Sequence, residues 1–201
     1  MPNSLTDPYA SVTDYHAAIT KSDTSHDTDI LADLNAISRY IDGQTGRFFG
    51  KDTADKDRIY PGPSRRRLWT DDFVSVTTVK IDEGVDGTFA TTLAATDYQL
   101  WPLNAALGPE VNPYTGIQMV YWGSRFIFPS SAQVKVTGVF GWPAVPDPIK
   151  RACIQLTAIL RLESPRANRE MMAMNLVLGT SPAAQSIVDN LINSYSRMAF
   201  A

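Results

Sequence analysis

The chain has 201 residues, of which 44% are hydrophobic and 19% charged, and its formal net charge is -3. A compact chain of this length buries about 70% of its unfolded surface, so a substantial core is expected. The acidic balance argues against a general nucleic-acid binder, because such proteins carry a basic field that neutralises phosphates.

Two helices are predicted in the N-terminal quarter. The first is short, with Ser11 or Thr13 as its N-cap. The second follows a polar run and ends at Gly43 or Gly46, since glycine is the usual residue just after a helix. Apolar residues recur along the second helix at helical spacing and define its expected buried stripe: Ile30, Leu31, Leu34, Ile37 and Ile41.

A sheet is predicted next, because from about Arg58 the apolar period changes from 3.6 to 2. Both sides of the alternation at 67–81 carry apolar or β-branched residues, so this strand is expected to be buried on both faces. Further strands are predicted at 98–101, 116–122 and 132–140, the last with one apolar face. The resulting fold class is α+β: a bundle of about four helices with an inserted antiparallel β-rich subdomain.

Two more helices are predicted after the sheet. The first has Asp147 as its cap and Pro148 at its first position. Its expected buried stripe is Ile149, Ala152, Cys153, Leu156, Ile159 and Leu160. The second starts at 180–182, and its apolar face comprises Ala184, Ile187, Val188, Leu191, Ile192 and Tyr195.

The segment between those two helices, 166–178, is ambiguous. Its methionines, Met171, Met172 and Met174, suit a contact surface that adapts to its partner, because methionine repacks easily. A plain core helix explains them equally well, and both interpretations stay open. The expected division of the chain is 1–57 for N-terminal bundle helices, 58–142 for the β-rich subdomain, and 143–201 for C-terminal helices and a tail.

No catalytic or metal-binding constellation is predicted. Cys153 is the single cysteine, which excludes an internal disulfide and a cysteine-based metal site, and its helical stripe predicts a buried, inert thiol. His16 and His26 are expected to be solvated and not to share a metal. The sequence has neither a serine-nucleophile pattern nor a phosphate-binding glycine loop. We therefore expect no enzyme, no cofactor and no bound metal.

The charged clusters are expected to be structural. Carboxylates concentrate at 52–57, 71–72 and 82–86, in turn-like contexts that favour solvated side chains. Alternation along a strand would split the basic run at 65–67 between two faces, which favours an ordinary strand edge or a salt-bridged interface over a DNA contact. The sequence begins without the basic and apolar regions of a signal peptide and has no apolar run of membrane-spanning length, so a soluble intracellular product is expected.

Eight short segments stand in a specific order and spacing: AISRYID at 36–42, TGRFF at 45–49, LW at 68–69, VSVTTV at 74–79, YQLWPLN at 98–104, VTGVFGW at 136–142, VP at 145–146 and IK at 149–150. Together they resemble the head-to-tail adaptor (connector) proteins of long-tailed bacteriophages. The resemblance covers about residues 28–165.

The resemblance implies a non-enzymatic virion protein, made in the cytoplasm of the bacterial host. Such proteins form a ring, typically a dodecamer, between the portal protein and the tail, where it serves as the platform for the stopper or tail-terminator protein. The ring extends the channel through which packaged DNA passes without specific binding, and no membrane contact is implied. Portal docking commonly uses the C-terminal segment, which here would involve Ile187, Leu191, Tyr195, Met198 and Phe200.

Trp142 lies where the chain returns from the predicted sheet to the helical framework. A large aromatic side chain at such a junction is expected to act as a packing wedge that fixes the orientation of the two parts, and not as a binding residue. Two other functions stay open. One is a stopper or tail-completion protein of the neck, and the other is a DNA-binding module that uses the basic run.

Overall fold

In this computed structural model, the described residues are 7–20, 23–105, 107, 111–163 and 182–196. They contain four helices and one antiparallel sheet of six strands, so the chain is an α+β protein. The chain divides into two compact units. We call Met1–Phe49 with Val145–Ala201 the helical unit, and Gly50–Ala144 the sheet unit.

The helical unit contains, among its described residues, α1 (Val12–Ile19), α2 (Asp27–Thr45), α3 (Asp147–Glu163) and α4 (Pro182–Ser194). The N-cap of α1 is Ser11, whose hydroxyl accepts the N–H of Asp14 at 3.0 Å, while the Asp14 carboxylate accepts the N–H of Ser11 at 3.0 Å. Helix α2 continues through Gly43 and ends at Gly46, which has a φ of 63°. Of the predicted caps, Ser11 and Gly46 are therefore confirmed.

The buried stripe of α2 differs from the prediction. Leu31 is 46% exposed and Ile37 only half-buried, whereas two hydroxyl residues, Ser38 and Thr45, are buried. Ser38 Oγ donates to the Leu34 carbonyl at 2.7 Å, and Thr45 Oγ1 donates to the Ile41 carbonyl at 2.9 Å. Because these bonds within the helix satisfy the hydroxyl groups, serine and threonine can be buried in the core. A prediction based on apolar residues alone does not find such positions.

Helix α3 buries a wider face than the predicted stripe. Four predicted residues, Ile149, Ala152, Cys153 and Leu156, are buried, and so are Ile154, Thr157 and Ala158, whereas Ile159 is half-buried and Leu160 is exposed. Three other elements, α1, α2 and α4, pack against α3. A helix contacted by several neighbours buries more than one stripe, and Leu160 lies outside this wide face.

The sheet unit contains β1 (Lys56–Pro61), β2 (Arg67–Asp82), β3 (Thr91–Thr92), β4 (Tyr98–Trp101), β5 (Tyr114–Met119) and β6 (Gln133–Phe140). The strand order is β1-β6-β2-β5-β4, and β3 pairs with β2 beside this path. Strands β4 and β5 form an antiparallel pair in which Tyr98 lies opposite Met119 and Trp101 opposite Gly116. Strand β5 ends three residues earlier than predicted.

The long strand β2 is not buried on both faces, contrary to the prediction. Its buried residues are Leu68, Thr70 and Asp72 in the first part, then Phe73, and finally Val79, Ile81 and Asp82, while Ser75 and Thr77 are exposed. The register with the neighbouring strands shifts between Trp69 and Phe73 and twice more up to Thr78. A bulge adds one residue to one strand, which moves the following side chains to the other face.

Strand β6 buries one face, as predicted, with Val134, Val136, Gly138 and Phe140 inside. A Cβ added at Gly138 would lie 2.1 Å from the Ser75 carbonyl oxygen, so only glycine allows β2 and β6 to approach this closely. The core of the sheet unit is one cluster of buried apolar side chains, among them Leu68, Phe73, Val79, Ile81, Ile117, Met119 and Phe128.

Candidate assembly surfaces

The predicted docking residues of α4 are partly engaged inside the helical unit. Ile192 is almost completely buried, Leu191 is half-buried, and the Tyr195 ring packs edge-on against Phe49 with 5.8 Å between ring centres. The opposite side of the helix carries exposed polar residues: Ser186, Asp189, Asn190 and Asn193. The Ile187 side chain, Met198 and Phe200 lie outside the described residues, as do Met171, Met172 and Met174.

Tyr9 ties the N-terminal segment to the end of α2. Its hydroxyl donates to the Asp42 carboxylate and accepts the backbone N–H of Phe49 at 2.9 Å. Its own N–H donates to Ser38 Oγ at 2.9 Å, and the Arg39 guanidinium lies 5.3 Å from the ring centre. Burial, with the neighbouring Asp42 carboxylate, raises the pKa of the Tyr9 phenol. The sequence analysis did not single out this cluster.

Trp142 is buried within the sheet unit. Its indole Nε1 donates to Asp72 Oδ2 at 3.0 Å, and its backbone N–H donates to the Gly50 carbonyl at 2.8 Å. The preceding residue, Gly141, has a φ of 108° and donates to the Asp72 carbonyl at 2.7 Å. These bonds fix the indole beside β2 within the sheet unit. The role of Trp142 as a packing wedge between the two parts of the chain stays a prediction.

The histidine prediction is wrong for His16. The side chain of His16 is only 12% exposed, and its Nε2 lies 2.7 Å from Asp27 Oδ1. Asp27, the first residue of α2, therefore supplies the partner for this imidazole. Cys153 is buried as predicted, and burial raises the pKa of its thiol, so its reactive thiolate form is disfavoured.

Two of the clustered carboxylates that were predicted to be solvated are buried. Asp82 accepts hydrogen bonds from the backbone N–H groups of Asp86, at 3.3 Å, and Gly87, at 2.7 Å. Asp72 is held by the Trp142 indole. Both buried carboxylates are therefore hydrogen-bonded, Asp82 by turn amides and Asp72 by an indole N–H, as buried polar groups generally are. Within the part of the chain that the structure describes, no group of three or more His, Cys, Asp or Glu side chains could hold a metal ion.

Two arginines of the basic run stack on aromatic rings of the sheet unit. The Arg66 guanidinium carbon lies 3.7 Å from the ring centre of Tyr121, and that of Arg67 lies 3.7 Å from Trp101. Arg67 also donates to Gln118 Oε1 at 2.5 Å. Burial, with the adjacent Arg66 charge, lowers the pKa of Arg67. Because these side chains serve internal contacts, the geometry weakens the DNA-binding hypothesis.

The loop between β5 and β6 carries a concentration of exposed apolar side chains that the sequence analysis missed. We call residues 120–128 the aromatic loop. Trp122 is 85% exposed, Tyr121 66% and Phe126 61%, and Ile127 is exposed as well. The first part of this loop was assigned to a strand, because its aromatic residues extend the alternation of β5. The sequence feature that could have indicated this surface is the concentration of aromatic residues on both sides of Gly123 and Ser124.

The aromatic loop is nevertheless held in place by internal bonds. The Asp97 carboxylate accepts the Ser124 N–H at 3.1 Å and the Ser124 hydroxyl at 2.6 Å. The Phe128 N–H donates to the Arg65 carbonyl at 2.9 Å, and the Phe128 ring is fully buried. Hydrogen bonds from Ser124 lower the pKa of Asp97. The loop therefore presents its aromatic side chains to solvent from a defined backbone.

Comparison with known proteins gave matches among solved structures only. No family model matches the sequence, and neither does any curated protein. The described helices include none long and apolar enough to cross a membrane.

Three chains from gene transfer agent (GTA) particles are similar in structure. A chain from the neck of the empty particle, computed with C6 symmetry, has a TM-score of 0.53 and 16% identity, with 100% of this chain and 95% of that chain covered. A chain from the native virion has a TM-score of 0.52 and 16% identity, with coverages of 96% and 92%. A chain from the neck of the native particle, computed with C12 symmetry, has a TM-score of 0.52 and 17% identity, with coverages of 100% and 94%. At such identities the likeness is one of fold: the protein has the fold of chains found in the neck and virion of a GTA particle.

Proposed function

We propose that this protein is a structural, non-enzymatic virion protein of a particle neck, a head-to-tail adaptor that forms a ring between the portal protein and the tail. The fold likeness to chains of GTA necks supports the proposal most directly, because it extends over nearly the whole length of both chains. The neck structures were computed with six-fold and twelve-fold symmetry, and a ring of identical subunits, a dodecamer in our proposal, fits both.

In this proposal the helices form a bundle, and the β-rich subdomain is inserted between α2 and α3. The ring extends the DNA channel and provides the platform for the stopper or tail-terminator protein. A net charge of -3 suits a channel through which DNA must slide, since tight phosphate binding would hinder its passage. Trp142 stiffens the segment through which the chain leaves the sheet unit.

The C-terminal region is proposed to dock on the portal protein. Ile192 and Tyr195 support the helical unit internally, so the docking surface on α4 would be its exposed side together with the tail containing Met198 and Phe200. Removing the segment from Gly179 onwards would also remove internal packing of the helical unit. Point substitutions on the exposed side are therefore the sharper test.

The experiment uses the purified chain and a purified portal ring. We expect electron microscopy and native mass spectrometry to show rings of the chain, and co-sedimentation to show that these rings bind the portal. Asn190→Arg with Asn193→Arg should abolish portal binding and leave the rings intact. A wild-type chain that stays monomeric in the presence and absence of the portal contradicts the adaptor function. Rings of the double variant that bind the portal normally contradict the role of α4.

A further inference from the structure

We propose that the aromatic loop is a contact between neighbouring subunits, and that it docks on the opposite end of the β4–β5 hairpin in a second copy of this chain. This inference rests on the proposed ring. The opposite end is defined by three exposed residues between β4 and β5, namely Leu103, Leu107 and Val111, which we call the leucine end.

The composition of the aromatic loop is that of an interface centre. Aromatic residues and arginine are enriched where protein interfaces are most tightly packed, and tryptophan is the most common energetic anchor. Trp122 is the most exposed large apolar side chain among the described residues. Together with Tyr121 and Phe126 it could bury roughly 300–500 Å², which is a large share of the ~800 Å² that each partner contributes to a stable interface.

The loop is prepared for binding before a partner arrives. Asp97 fixes Ser124 in the middle of the loop, and the buried Phe128 ring fixes its end. The Arg66 guanidinium stacks on the Tyr121 ring and restricts its rotation. Since the anchored loop has little backbone freedom left to lose, ordering the loop takes up less of the energy gained when the aromatic rings are buried in an interface.

A second copy fits as the partner because the hairpin has different apolar surfaces at its two ends. Met119, at the end of β5, pairs with Tyr98, at the start of β4, so the aromatic loop leaves the hairpin at one end. Trp101 pairs with Gly116 at the other end, where the leucine end begins. A head-to-tail contact joins two different patches of identical subunits, and repeating it by rotation closes a ring.

The charges on the two surfaces are compatible. The aromatic loop is flanked by basic side chains, with Arg65 exposed and Arg66 stacked on the loop, while Arg125 within the loop is paired with Glu83. In the sequence, the segment 102–113 that contains the leucine end has a single charged residue, the acidic Glu110. A second copy, with its net charge of -3, therefore meets these arginines without like-charge repulsion at the contact.

Engineered disulfides test the contact directly. The four residues of β4 separate the two ends by ~13 Å, whereas disulfide-linked Cα atoms lie within about 7 Å. A disulfide between Trp122→Cys and Leu103→Cys can therefore form only between copies, and Cys153 is buried. We expect the double variant, oxidised as assembled rings, to give a ladder of covalent multimers. Dimers formed by Trp122→Cys alone would indicate a two-fold contact and overturn the proposal, as would rings that do not cross-link.

A paired substitution provides the second test. Trp122→Ser with Phe126→Ser should convert rings to monomers in native mass spectrometry, with unchanged circular dichroism. The matched control, Ile59→Ser with Val85→Ser, also removes two exposed apolar side chains of the sheet unit and should retain the rings. If the wild type forms rings and the loop variant forms them equally well, the inference fails and the adaptor function stands. If the wild type forms no rings, both fail.

Discussion

The indole nitrogen of Trp142 donates a hydrogen bond to the carboxylate of Asp72 across 3.0 Å, and both side chains are buried. Trp142→Phe should lower the free energy of unfolding by about 1–3 kcal/mol, because it withdraws a donor from a buried carboxylate. Trp142→Ala should cost about 3–5 kcal/mol, since it also leaves a cavity. Urea unfolding followed by circular dichroism measures both. Equal losses for the two variants would show that the hydrogen bond carries most of the effect.

Tyr9 should make the protein sensitive to alkaline pH. Its pKa is raised in the folded state above the ordinary 10.0, so above about pH 10 the unfolded chain loses the phenol proton while the folded chain keeps it. Its contribution to stability is therefore complete below about pH 10 and declines above it. Tyr9→Phe should cost about 1–3 kcal/mol at neutral pH.

Urea midpoints of the wild type and Tyr9→Phe at about pH 9 and about pH 11 test this linkage. The difference in urea midpoint between the two proteins should shrink at the higher pH. The wild type loses the stabilisation from the raised Tyr9 pKa as the pH rises, whereas Tyr9→Phe has no phenol at this position. Tyr40→Phe is the matched control, since the Tyr40 side chain is exposed. A difference that stays constant with pH would contradict the assignment.

Gly138 should tolerate no side chain. A Cβ there would lie 2.1 Å from the Ser75 carbonyl oxygen, so Gly138→Ala should destabilise the sheet unit by about 1–3 kcal/mol or more. Gly43→Ala serves as the control within α2, where an added Cβ would meet nothing within 4 Å. That substitution should stabilise the protein by about 0.5–1 kcal/mol. Thermal unfolding of both variants gives the comparison, and a neutral Gly138→Ala would refute the close approach of β2 and β6.

Asp97 should control the rigidity of the aromatic loop. Asp97→Ala removes the acceptor for the Ser124 N–H and hydroxyl, so hydrogen exchange of the Ser124 amide should accelerate on the order of tenfold. Ring formation should weaken in parallel if the loop must be fixed before it binds. Asp86→Ala, at an exposed turn, should leave this exchange unchanged. Unaltered exchange in Asp97→Ala would show that the loop is held by other contacts.

The features that the sequence predicted well depend on local chemistry. Ser11 and Gly46 mark helix ends through hydrogen bonds within one turn of the chain. Helix α4 begins at Pro182, and the alternation of β6 follows from one buried face. Such signals are complete within a few neighbouring residues.

The features that were wrong depend on partners distant in sequence. Leu31 belongs to an apolar stripe by spacing but is exposed, whereas Ser38 is buried where it meets Tyr9 and Cys153. His16 is covered through its contact with Asp27 of the following helix. Neither the bulges of β2 nor the outward direction of Trp122 is encoded in an apolar period. The candidate interface therefore follows only from the three-dimensional structure of the loop between β5 and β6.

The strand β2 joins the two halves of its sheet, since Arg67–Phe73 pairs with β5 and Phe73–Asp82 with β6. Neither half can lose this strand without exposing the shared core around Phe73 and Phe140. Opening at one end should therefore propagate to the other, and the slowest-exchanging amides of β2, β5 and β6 should report one common free energy. A mechanical load applied to the aromatic loop would then be carried by the whole sheet unit and not by a single hairpin.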